Sequence, residues 1–463
     1  MTYTIEKVTT LIGARRYGDR DGNVGFILTD SRSLCFPEET LFFALKSERN
    51  DGHNYIPELY RRGVRNFVVS QVPKGYASDY PEANFLKVVN TLEALQRLAE
   101  RHRDEFNIPI VGITGSNGKT MVKEWLHQLL SPSMFVTRSP RSYNSQIGVP
   151  LSVWLLNEQT QVGVFEAGIS QPGEMLALRD IIQPTIAVLT YLGAAHQENF
   201  ESLEAKCREK IILFHDADTI IYNGDDKTVS GVVNEYKDYK GEKLFWSFRD
   251  TKAPFFVKNV EKKGNLSIIT YIYKGEEDSY SLPFIDEASV TNSIIAAVVS
   301  RRLGLSAEEL DKRMALLEPV AMRLEVKEGQ HGCTLINDSY NSDINSLDIA
   351  LDFMSRRPDH KGRRHTLILS DIFQSGESAK DLYHEVSDLC RKRGVVKFIG
   401  IGPQLCSQSD ELQISEKFFF SNVEEFIDSE VFKSLRDEVI LLKGARQFGF
   451  DQLTELLVRK VHE

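Results

Sequence analysis

The segment GITGSNGKTMVKEW, residues 112–125, places a glycine-rich turn between an apolar run and a helical pattern. The β-branched run IPIVGIT precedes the turn, and apolar residues recur at helical spacing from Val122 to Leu130 after it. A strand, a glycine turn and a helix N-terminus in this order form an anion site, because unpaired N–H groups and the positive end of the helix dipole face the same point. The segment therefore predicts a phosphate-binding loop in an α/β domain.

The loop has the short form G-x-x-G-K-T, made by Gly115, Gly118, Lys119 and Thr120. It does not fit the strict eight-residue phosphate-loop pattern, because the first glycine of that pattern would fall on Ile113. If the loop binds a nucleotide, Lys119 bridges the β and γ phosphates and the Thr120 hydroxyl contacts Mg²⁺. The alternative interpretation is a glycine turn with an incidental lysine.

The composition argues against several classes of protein. A formal net charge of −10 disfavours a nucleic-acid binder, because an extended phosphate backbone requires a basic face. The first residues lack the apolar core of a signal peptide, and no apolar stretch approaches the roughly 20 residues that span a bilayer. The five cysteines are an odd number without a CxxC pair, which indicates reduced thiols and neither a disulfide framework nor a zinc site. We therefore expect a cytoplasmic protein with no nucleic-acid or membrane partner.

The apolar runs predict an α/β protein of three domains, since 463 residues exceed what one core serves. Residues 1–107 read as a small α/β domain with short strand-like runs such as GFILTDSR and RNFVVS. Residues 108–318 alternate strands and helices, which is typical of the mostly parallel sheet of a P-loop ATPase, and residues 253–284 predict a small antiparallel insert. Residues 319–463 renew the alternation in CTLINDSY, HTLILSD and EVILLKGA, and they predict a Rossmann-like domain.

A glutamate and a histidine follow two further strand-like runs of the central region. Glu166 ends VGVF, and His196 lies just past TIAVLTYLGA. Polar groups that bind ligands gather beyond the carboxyl ends of strands in open α/β sheets, and Mg²⁺ takes oxygen ligands and only occasionally imidazole. A glutamate or histidine at such a place is more often a cap or a surface group. Their position after strands that flank a phosphate loop favours the metal-ligand interpretation.

Several motifs together resemble those of the Mur ligases, in the same order and with similar spacing. The motifs are GITGSNGKT, FEAGIS, LGAAHQENFESLEAKCREK, MRLEV, NDSYNSDINS, SDIFQSGESAKDLYHEVSD and LLKGAR, and the amino-terminal TDSRSLCFPEETLFFALKSERNDGHNYI looks like that family's UDP-sugar domain. The resemblance covers essentially the whole chain and is to the members that add a dipeptide. It implies an ATP-dependent amide ligase that joins D-alanyl-D-alanine to UDP-N-acetylmuramoyl-tripeptide through an acyl phosphate.

The resemblance also implies a division of labour among the three domains. Residues 1–107 would bind the UDP-sugar, residues 108–318 would bind ATP with two Mg²⁺ ions, and residues 319–463 would bring the acceptor amine. The implied ATP contacts are Gly115, Ser116, Asn117, Gly118, Lys119, Thr120, Asn292, Arg323 and Asp338. The implied metal ligands are Thr120, Glu166, His196 and Lys210, with Lys210 as a carbamate, and the implied catalytic residues are Lys119, Lys210, His196 and Arg323.

The implied substrate contacts are spread along the chain. They are Ser31, Arg32, Asp51, His53, Asn144, Tyr340, Asn341, Ser346, Lys443 and Arg446. Two places depart from the family pattern. Ser142 and Ser145 stand where asparagines are usual, and Ala288 and Ser289 replace a His-Asn pair beside the adenine-reading Asn292. For Asp51-Gly52-His53 the alternative is a tight turn, and for Arg323 and Asp338 it is a surface ion pair.

Three other interpretations stay open at this point. A diamino-acid-adding ligase of the same pathway would share every ATP-site motif, although the chain has no Asp-Asn-Pro-Arg acceptor motif. A folylpolyglutamate synthetase would lack a domain like residues 1–107, and a nucleotide-sensing module would lack catalysis. The KCREK and NDSYNSD forms look like the ligase half of chains that continue into an alanine racemase, so a fused racemase absent from this chain is a further expectation. The third residue of the tripeptide, meso-diaminopimelate or lysine, is left open.

Overall fold

The structure is a computed structural model that describes residues 2–47, 50–193, 199–237, 239–320, 324–339, 344–356, 362–372, 378–444 and 448–458. Two compact units are present. The first comprises residues 1–112, 133–169 and 174–186, and the second comprises residues 113–132, 170–173 and 187–463. No helix among the described residues is long and apolar enough to cross a membrane.

The amino-terminal part of the first unit is a five-stranded sheet with helices. Its elements are β1 (Tyr3–Thr4), α1 (Ile5–Ile12), β2 (Arg15–Tyr17), β3 (Asn23–Val24), β4 (Phe26–Leu28), β5 (Thr40–Phe43), α2 (Ile56–Arg61), β6 (Asn66–Val69), α3 (Tyr76–Asp79), β7 (Asn84–Lys87) and α4 (Thr91–Arg103). The strand order is β2-β7-β6-β5-β4, parallel except for β2. Helix α4 begins where the Asn90 side chain accepts from the N–H groups of Leu92 and Glu93.

Strands and helices alternate through the middle of the chain. The elements are β8 (Ile110–Thr114), α5 (Lys119–Leu130), β9 (Val136–Arg138), α6 (Gly148–Val153), β10 (Val162–Glu166), α7 (Glu174–Ile182), β11 (Ile186–Leu189), α8 (Leu203–Ile211), β12 (Thr219–Ile221), α9 (Lys227–Glu235) and β13 (Glu242–Lys243). The strand order of this sheet is β13-β12-β11-β8-β10-β9. The predicted strand–turn–helix order around the glycine loop is confirmed, since β8 ends at Thr114 and α5 begins at Lys119.

A four-stranded sheet follows in the second unit, where the sequence predicts an antiparallel insert. Its strands are β14 (Trp246–Ser247), β15 (Phe255–Lys263), β16 (Leu266–Tyr273) and β17 (Glu276–Leu282), and helices α10 (Glu287–Arg302) and α11 (Ala307–Met314) come next. Strands β15, β16 and β17 pair antiparallel and β14 pairs parallel to β15. A capping box between Ser306 and Glu309 begins α11.

The carboxyl-terminal part of the second unit is a six-stranded sheet between two helical layers. Its elements are β18 (Glu325–Glu328), β19 (Thr334–Asp338), α12 (Ile344–Arg356), β20 (Arg364–Ser370), α13 (Ala379–Lys392), β21 (Lys397–Ile401), α14 (Pro403–Ser407), β22 (Glu416–Phe420), α15 (Val423–Asp428), α16 (Glu430–Lys433), β23 (Glu438–Lys443) and α17 (Phe450–Leu457).

The strand order is β18-β19-β23-β20-β21-β22, parallel except for β18. Along β23, Val439 and Leu441 enter one apolar core while Ile440 and Leu442 enter the other. Because both faces are covered, these strands read as continuous apolar runs and not as alternating ones. The α/β fold with a Rossmann-like carboxyl-terminal part is therefore confirmed, while the three domain boundaries stay a prediction.

Candidate active site

The glycine-rich loop after β8 depends on both of its motif glycines. Gly115 has φ +141°, and a Cβ there would lie 2.1 Å from Thr190 Oγ1. Gly118 has φ +88°, and a Cβ there would lie 2.5 Å from Asn292 Oδ1. Positive φ and the close approach of polar atoms exclude any side chain at these two positions. The loop thus keeps its backbone open in the way that a phosphate cradle requires.

Backbone groups of the loop are tied to the residues that follow β11. The Ser116 N–H donates to Tyr191 O at 2.6 Å, and the Thr190 hydroxyl donates to Asn117 O at 2.5 Å. The Ser116 hydroxyl donates to Gly193 O at 3.1 Å and accepts from the Gly193 N–H at 3.0 Å. These bonds connect the loop to the segment that follows β11.

Lys119 begins α5 and folds back over the loop. Its ammonium group donates to Gly115 O at 2.6 Å and to Ser116 O at 3.2 Å, and the side chain is half-buried. Within the described ranges, Asn117 Nδ2 and Thr114 Oγ1 are buried without a hydrogen-bond partner. Buried polar groups normally have partners, so two such atoms beside a cationic loop fit a site that takes an anionic ligand.

Helix α8 brings two buried lysines to the same loop, one turn apart. Lys210 donates to Gly115 O at 3.3 Å, and Lys206 donates to Gly193 O at 2.5 Å. Both side chains are almost completely buried. Burial, with the nearby charges of Lys119 and Lys206 as further causes, lowers the pKa of Lys210 well below its usual value. Lys210 is therefore not a solvated surface charge of α8. Lys206 was not among the predicted site residues.

Asn292 of α10 lies against the start of α5, and its contact with adenine stays a prediction. Its amide Nδ2 donates to Met121 Sδ at 3.1 Å, and its Oδ1 limits the space at Gly118. Ser289, which replaces an asparagine of the family pattern, is buried in the first turn of α10, and its N–H donates to the Asp286 cap at 2.8 Å.

Glu166 ends β10 and is completely buried. Its N–H donates to Ser139 Oγ at 3.2 Å, and Oε2 accepts a weak hydrogen bond from Asn144 Nδ2 at 3.4 Å. The Gly168 N–H donates to Asn144 O at 2.8 Å, so Asn144 contacts the strand end that carries Glu166. Two residues predicted for different ligands thus lie together in the first unit.

The predicted UDP-sugar residues form two local turns in the first unit. Arg32 pairs with Asp30 at 2.6 Å, and this pairing lowers the pKa of the Asp30 carboxyl. Asp51 accepts from the backbone N–H and from Nδ1 of His53, the latter at 2.6 Å, while His53 Nε2 accepts from the Ser70 N–H at 3.0 Å. The hydrogen bonds of the His53 backbone and ring lower the pKa of Asp51. The tight-turn alternative for these residues is confirmed, and their contact with a UDP-sugar stays a prediction.

Three predicted residues of the carboxyl-terminal part are described. Asp338 and Lys443, at the ends of β19 and β23, form a buried ion pair of 2.8 Å, and Ser346 lies in the first turn of α12. The ion pair predicted as the alternative for Asp338 therefore exists, but its partner is Lys443 and it is buried. Five predicted site residues lie outside the described residues: His196, Arg323, Tyr340, Asn341 and Arg446.

No group of three or more His, Cys, Asp or Glu side chains that could hold a metal ion occurs in the part of the chain that the structure describes. A Mg²⁺ ion in a nucleotide site does not require one, because phosphate oxygens, water, a hydroxyl and one or two carboxylates suffice. Thr120 offers a hydroxyl in the second unit and Glu166 offers a carboxylate in the first, and their role as metal ligands stays a prediction.

A glycine loop between a strand and a helix of a mostly parallel sheet, with a lysine at the helix start, defines the class of P-loop α/β proteins. The Mur ligase middle domain model matches residues 113–300. Over that region the chain is similar to the Mur ligases.

Relatives and solved structures extend the match over the rest of the chain. The UDP-N-acetylmuramoyl-tripeptide–D-alanyl-D-alanine ligase of Bacillus subtilis is 28% identical over 78% of this chain and 76% of its own length. The ligase of the same name from Escherichia coli is 24% identical over 99% of this chain and 98% of its own length. A crystal structure of MurF from Acinetobacter baumannii superposes with a TM-score of 0.83 at 22% identity, covering 98% of this chain and 99% of that chain.

Proposed function

We propose that this chain is an ATP-dependent ligase that joins D-alanyl-D-alanine to UDP-N-acetylmuramoyl-tripeptide in the synthesis of peptidoglycan precursors. The observation that carries the proposal is the glycine loop on which Lys119 and the buried Lys210 both donate to one carbonyl, Gly115 O. The substrates follow from the names of relatives that match up to 99% of the chain. The absent Asp-Asn-Pro-Arg motif supports the dipeptide-adding step over the diamino-acid-adding one.

The loop fits ATP by the chemistry of its donors. The ammonium group of Lys119 and the buried, unpartnered Asn117 Nδ2 are suited to the charge and the acceptor oxygens of phosphates. Asn292 would read the adenine, and Asp338 and Arg323 remain predicted contacts of ribose and γ-phosphate. Thr120, Glu166 and His196 would hold Mg²⁺, which supplies charge stabilisation of the transferring phosphoryl group when bound.

The reaction needs activation because a carboxylate is a poor electrophile. The terminal carboxylate of the tripeptide attacks the γ-phosphorus of ATP, the bond to the β-phosphate oxygen breaks, and an acyl phosphate and ADP form. The amine of D-alanyl-D-alanine then attacks the acyl carbon, loses a proton and displaces phosphate. Lys119 and Arg323 would offset the negative charge that gathers in the first step. Water must be excluded because it would hydrolyse the acyl phosphate.

Lys210 would act as a carbamate and not as an ammonium group. A buried lysine beside two other ammonium groups is held toward its neutral form, and a neutral amine can add CO₂. The product is a carboxylate-like group, which suits a hard cation such as Mg²⁺. The support is the burial of Lys210 and its contact with the P-loop.

The remaining assignments complete the proposal. Residues 1–107 would bind the UDP-sugar, with Ser31, Arg32, Asp51 and His53 near it and Asn144 as a further contact. Residues 319–463 would bind the acceptor, with Tyr340, Asn341, Ser346, Lys443 and Arg446 as contacts of dipeptide or phosphate. The reaction would take place in the cytoplasm, where ATP is available.

Phosphate release from ATP with Mg²⁺ tests the proposal directly. We expect release only when UDP-N-acetylmuramoyl-tripeptide and D-alanyl-D-alanine are both present, with the amide product confirmed by mass spectrometry. A panel with meso-diaminopimelate or lysine at the third position would identify the tripeptide. Turnover with the dipeptide precursor and a free diamino acid would assign the chain to the earlier step. ATP binding without turnover on any member of the panel would indicate a nucleotide-sensing module.

A further inference from the structure

Lys206 is a buried cation that the reaction outlined above does not use. It lies one helical turn before Lys210 on α8 and is 1% exposed. Its ammonium group donates to Gly193 O at 2.5 Å, a charge-assisted hydrogen bond to a backbone carbonyl. Burying an ammonium group is costly, so a lysine at this place calls for a reason beyond the stability of the helix.

The carbonyl that Lys206 holds is also held by the phosphate loop. Gly193 O accepts from the Ser116 hydroxyl at 3.1 Å, and the Gly193 N–H donates back to the same hydroxyl at 3.0 Å. Ser116 stands between the two motif glycines, Gly115 and Gly118, and its N–H donates to Tyr191 O at 2.6 Å. A continuous chain of hydrogen bonds therefore connects the Lys206 ammonium group, through Gly193, to Ser116 in the middle of the loop.

We propose that Lys206 is a positioning residue for nucleotide binding: by holding Gly193 O it fixes Ser116 and with it the shape of the phosphate loop. The inference rests on the proposed ATP-binding role of that loop. Lys206 does not contact the ligand in this scheme, because its side chain is buried behind Gly193. Its effect reaches the nucleotide through the backbone that Ser116 anchors. A loop that is already held in its binding conformation costs less free energy to order when the ligand binds. The affinity for the ligand is therefore higher.

The substitution Lys206→Met separates positioning from stability. Methionine keeps the length of the side chain, and Gly193 O keeps its bond to Ser116, so this carbonyl retains a donor and thermal stability should stay close to that of the parent. We expect the dissociation constant for ATP to rise about tenfold, because a hydrogen bond to a charged group is lost from the loop anchor. Lys206→Arg, which keeps a cationic donor, should recover most of that affinity.

Arg208→Gln is the matched control. Arg208 lies on the same helix, is exposed and pairs with Glu235, so its loss removes a cation from α8 without touching the loop. We expect ATP affinity to stay within about twofold of the parent, as for most exposed ion pairs. A comparable loss in this control would mean that the total charge of α8, and not the contact of Lys206, sets the affinity.

Amide hydrogen exchange of the protein without nucleotide is a second measurement, and a change in the charge of α8 alone should not alter it. In Lys206→Met, peptides containing Ser116 and Gly193 should exchange faster than in the parent, because both N–H groups belong to the anchored contacts. Unchanged exchange, or unchanged ATP affinity in a folded variant, would overturn the inference. If Lys206→Met cannot be purified, Lys206→Gln, which keeps a polar donor without the charge, is measured in its place and should weaken ATP binding in the same direction, while unchanged affinity would overturn the inference. A parent protein that binds no ATP would instead refute the proposed function.

Discussion

The ammonium group of Lys443 donates a hydrogen bond to Asp338 Oδ2 at 2.8 Å, and the two residues face each other in the register of β23 and β19. Both side chains are buried, and each ends its strand. The resemblance assigns these residues to different substrates, the ribose and the acceptor. The contact means that the two predicted sites are coupled, because each side chain already binds the other.

The ion pair should show strong coupling in a double-mutant cycle. Asp338→Asn or Lys443→Met alone takes the charged partner from a buried group and should lower the free energy of unfolding by about 3 kcal/mol. The double substitution should cost less than the sum of the two, with a coupling energy of about 1–3 kcal/mol. Denaturant unfolding of the four proteins measures this directly. Additive losses would show that the pair contributes little to the fold.

Lys119→Ala should abolish ligation and leave the fold intact. The ammonium group of Lys119 contacts Gly115 O, which Lys210 also contacts, and Ser116 O, so the strongest of its two acceptors keeps a donor after its loss. We expect kcat to fall by roughly 10²–10³-fold or more, because a cation at the transferring phosphoryl group is lost. Circular dichroism and thermal unfolding should match the parent. Near-normal turnover in this variant would remove the phosphate-loop assignment.

Alanine at two glycines should have opposite effects. In Gly115→Ala the Cβ meets Thr190 Oγ1 at 2.1 Å with φ at +141°, so the loop must rearrange and ATP binding should be lost. Gly231 lies inside α9 with open space around its Cβ position. Gly231→Ala should therefore keep activity and raise stability by about 0.5–1 kcal/mol. Isothermal titration with ATP and thermal unfolding compare the two variants. Normal ATP affinity in Gly115→Ala would contradict the geometry of the loop.

The sequence predicts the long elements of this fold well and the short ones poorly. Strands such as β20 and β23 are continuous apolar runs covered on both faces, and such runs stand out in a sequence. Strands β1, β3 and β13 have two residues each, which is too short for any period to appear. Their pairing depends on neighbours that the tertiary fold supplies.

The same limit applies to the candidate site. Gly115, Gly118 and Lys119 can be predicted because one contiguous motif carries them. Lys206 cannot, since a buried lysine in the charged segment LEAKCREKI looks like a surface one. Asp338 and Lys443 are 105 residues apart, and only the parallel pairing of their strands brings them together.

His102 should make the first unit less stable in mild acid. The ring Nε2 donates to Leu156 O at 3.0 Å, and in this neutral tautomer Nδ1 accepts from the Tyr3 hydroxyl at 2.9 Å. Burial lowers the pKa of His102 from 6.5 to about 4, against the opposing effect of the Leu156 hydrogen bond. Below pH 6.5 the unfolded chain therefore gains a proton that the folded chain does not take up until the pH nears 4.

The free energy of unfolding should then fall by roughly 2 kcal/mol between pH 7 and pH 5 on account of this one residue. His102→Gln, which offers an acceptor and a donor without titrating, should lose that part of the pH dependence. Denaturant unfolding of parent and variant at both pH values gives the difference, and other titrating groups cancel in the comparison. Equal pH dependence in the two proteins would mean that His102 is protonated in the fold.

The activity lost when the Lys210 side chain is removed should be partly restored by an added carboxylate. If Lys210 carries a carbamate, Lys210→Ala loses an anionic oxygen group and most of its activity, while thermal stability should stay close to the parent because Lys119 still donates to Gly115 O. Acetate or formate at high concentration should restore part of the turnover by supplying a carboxylate at the vacated place. Chloride at the same ionic strength is the control for salt effects on this rescue.

In the parent protein, ¹³C-labelled CO₂ should give a carbamate signal that is missing from the variant. An alanine variant with full activity, or a parent without a carbamate signal under turnover conditions, would leave Lys210 as a structural lysine of α8.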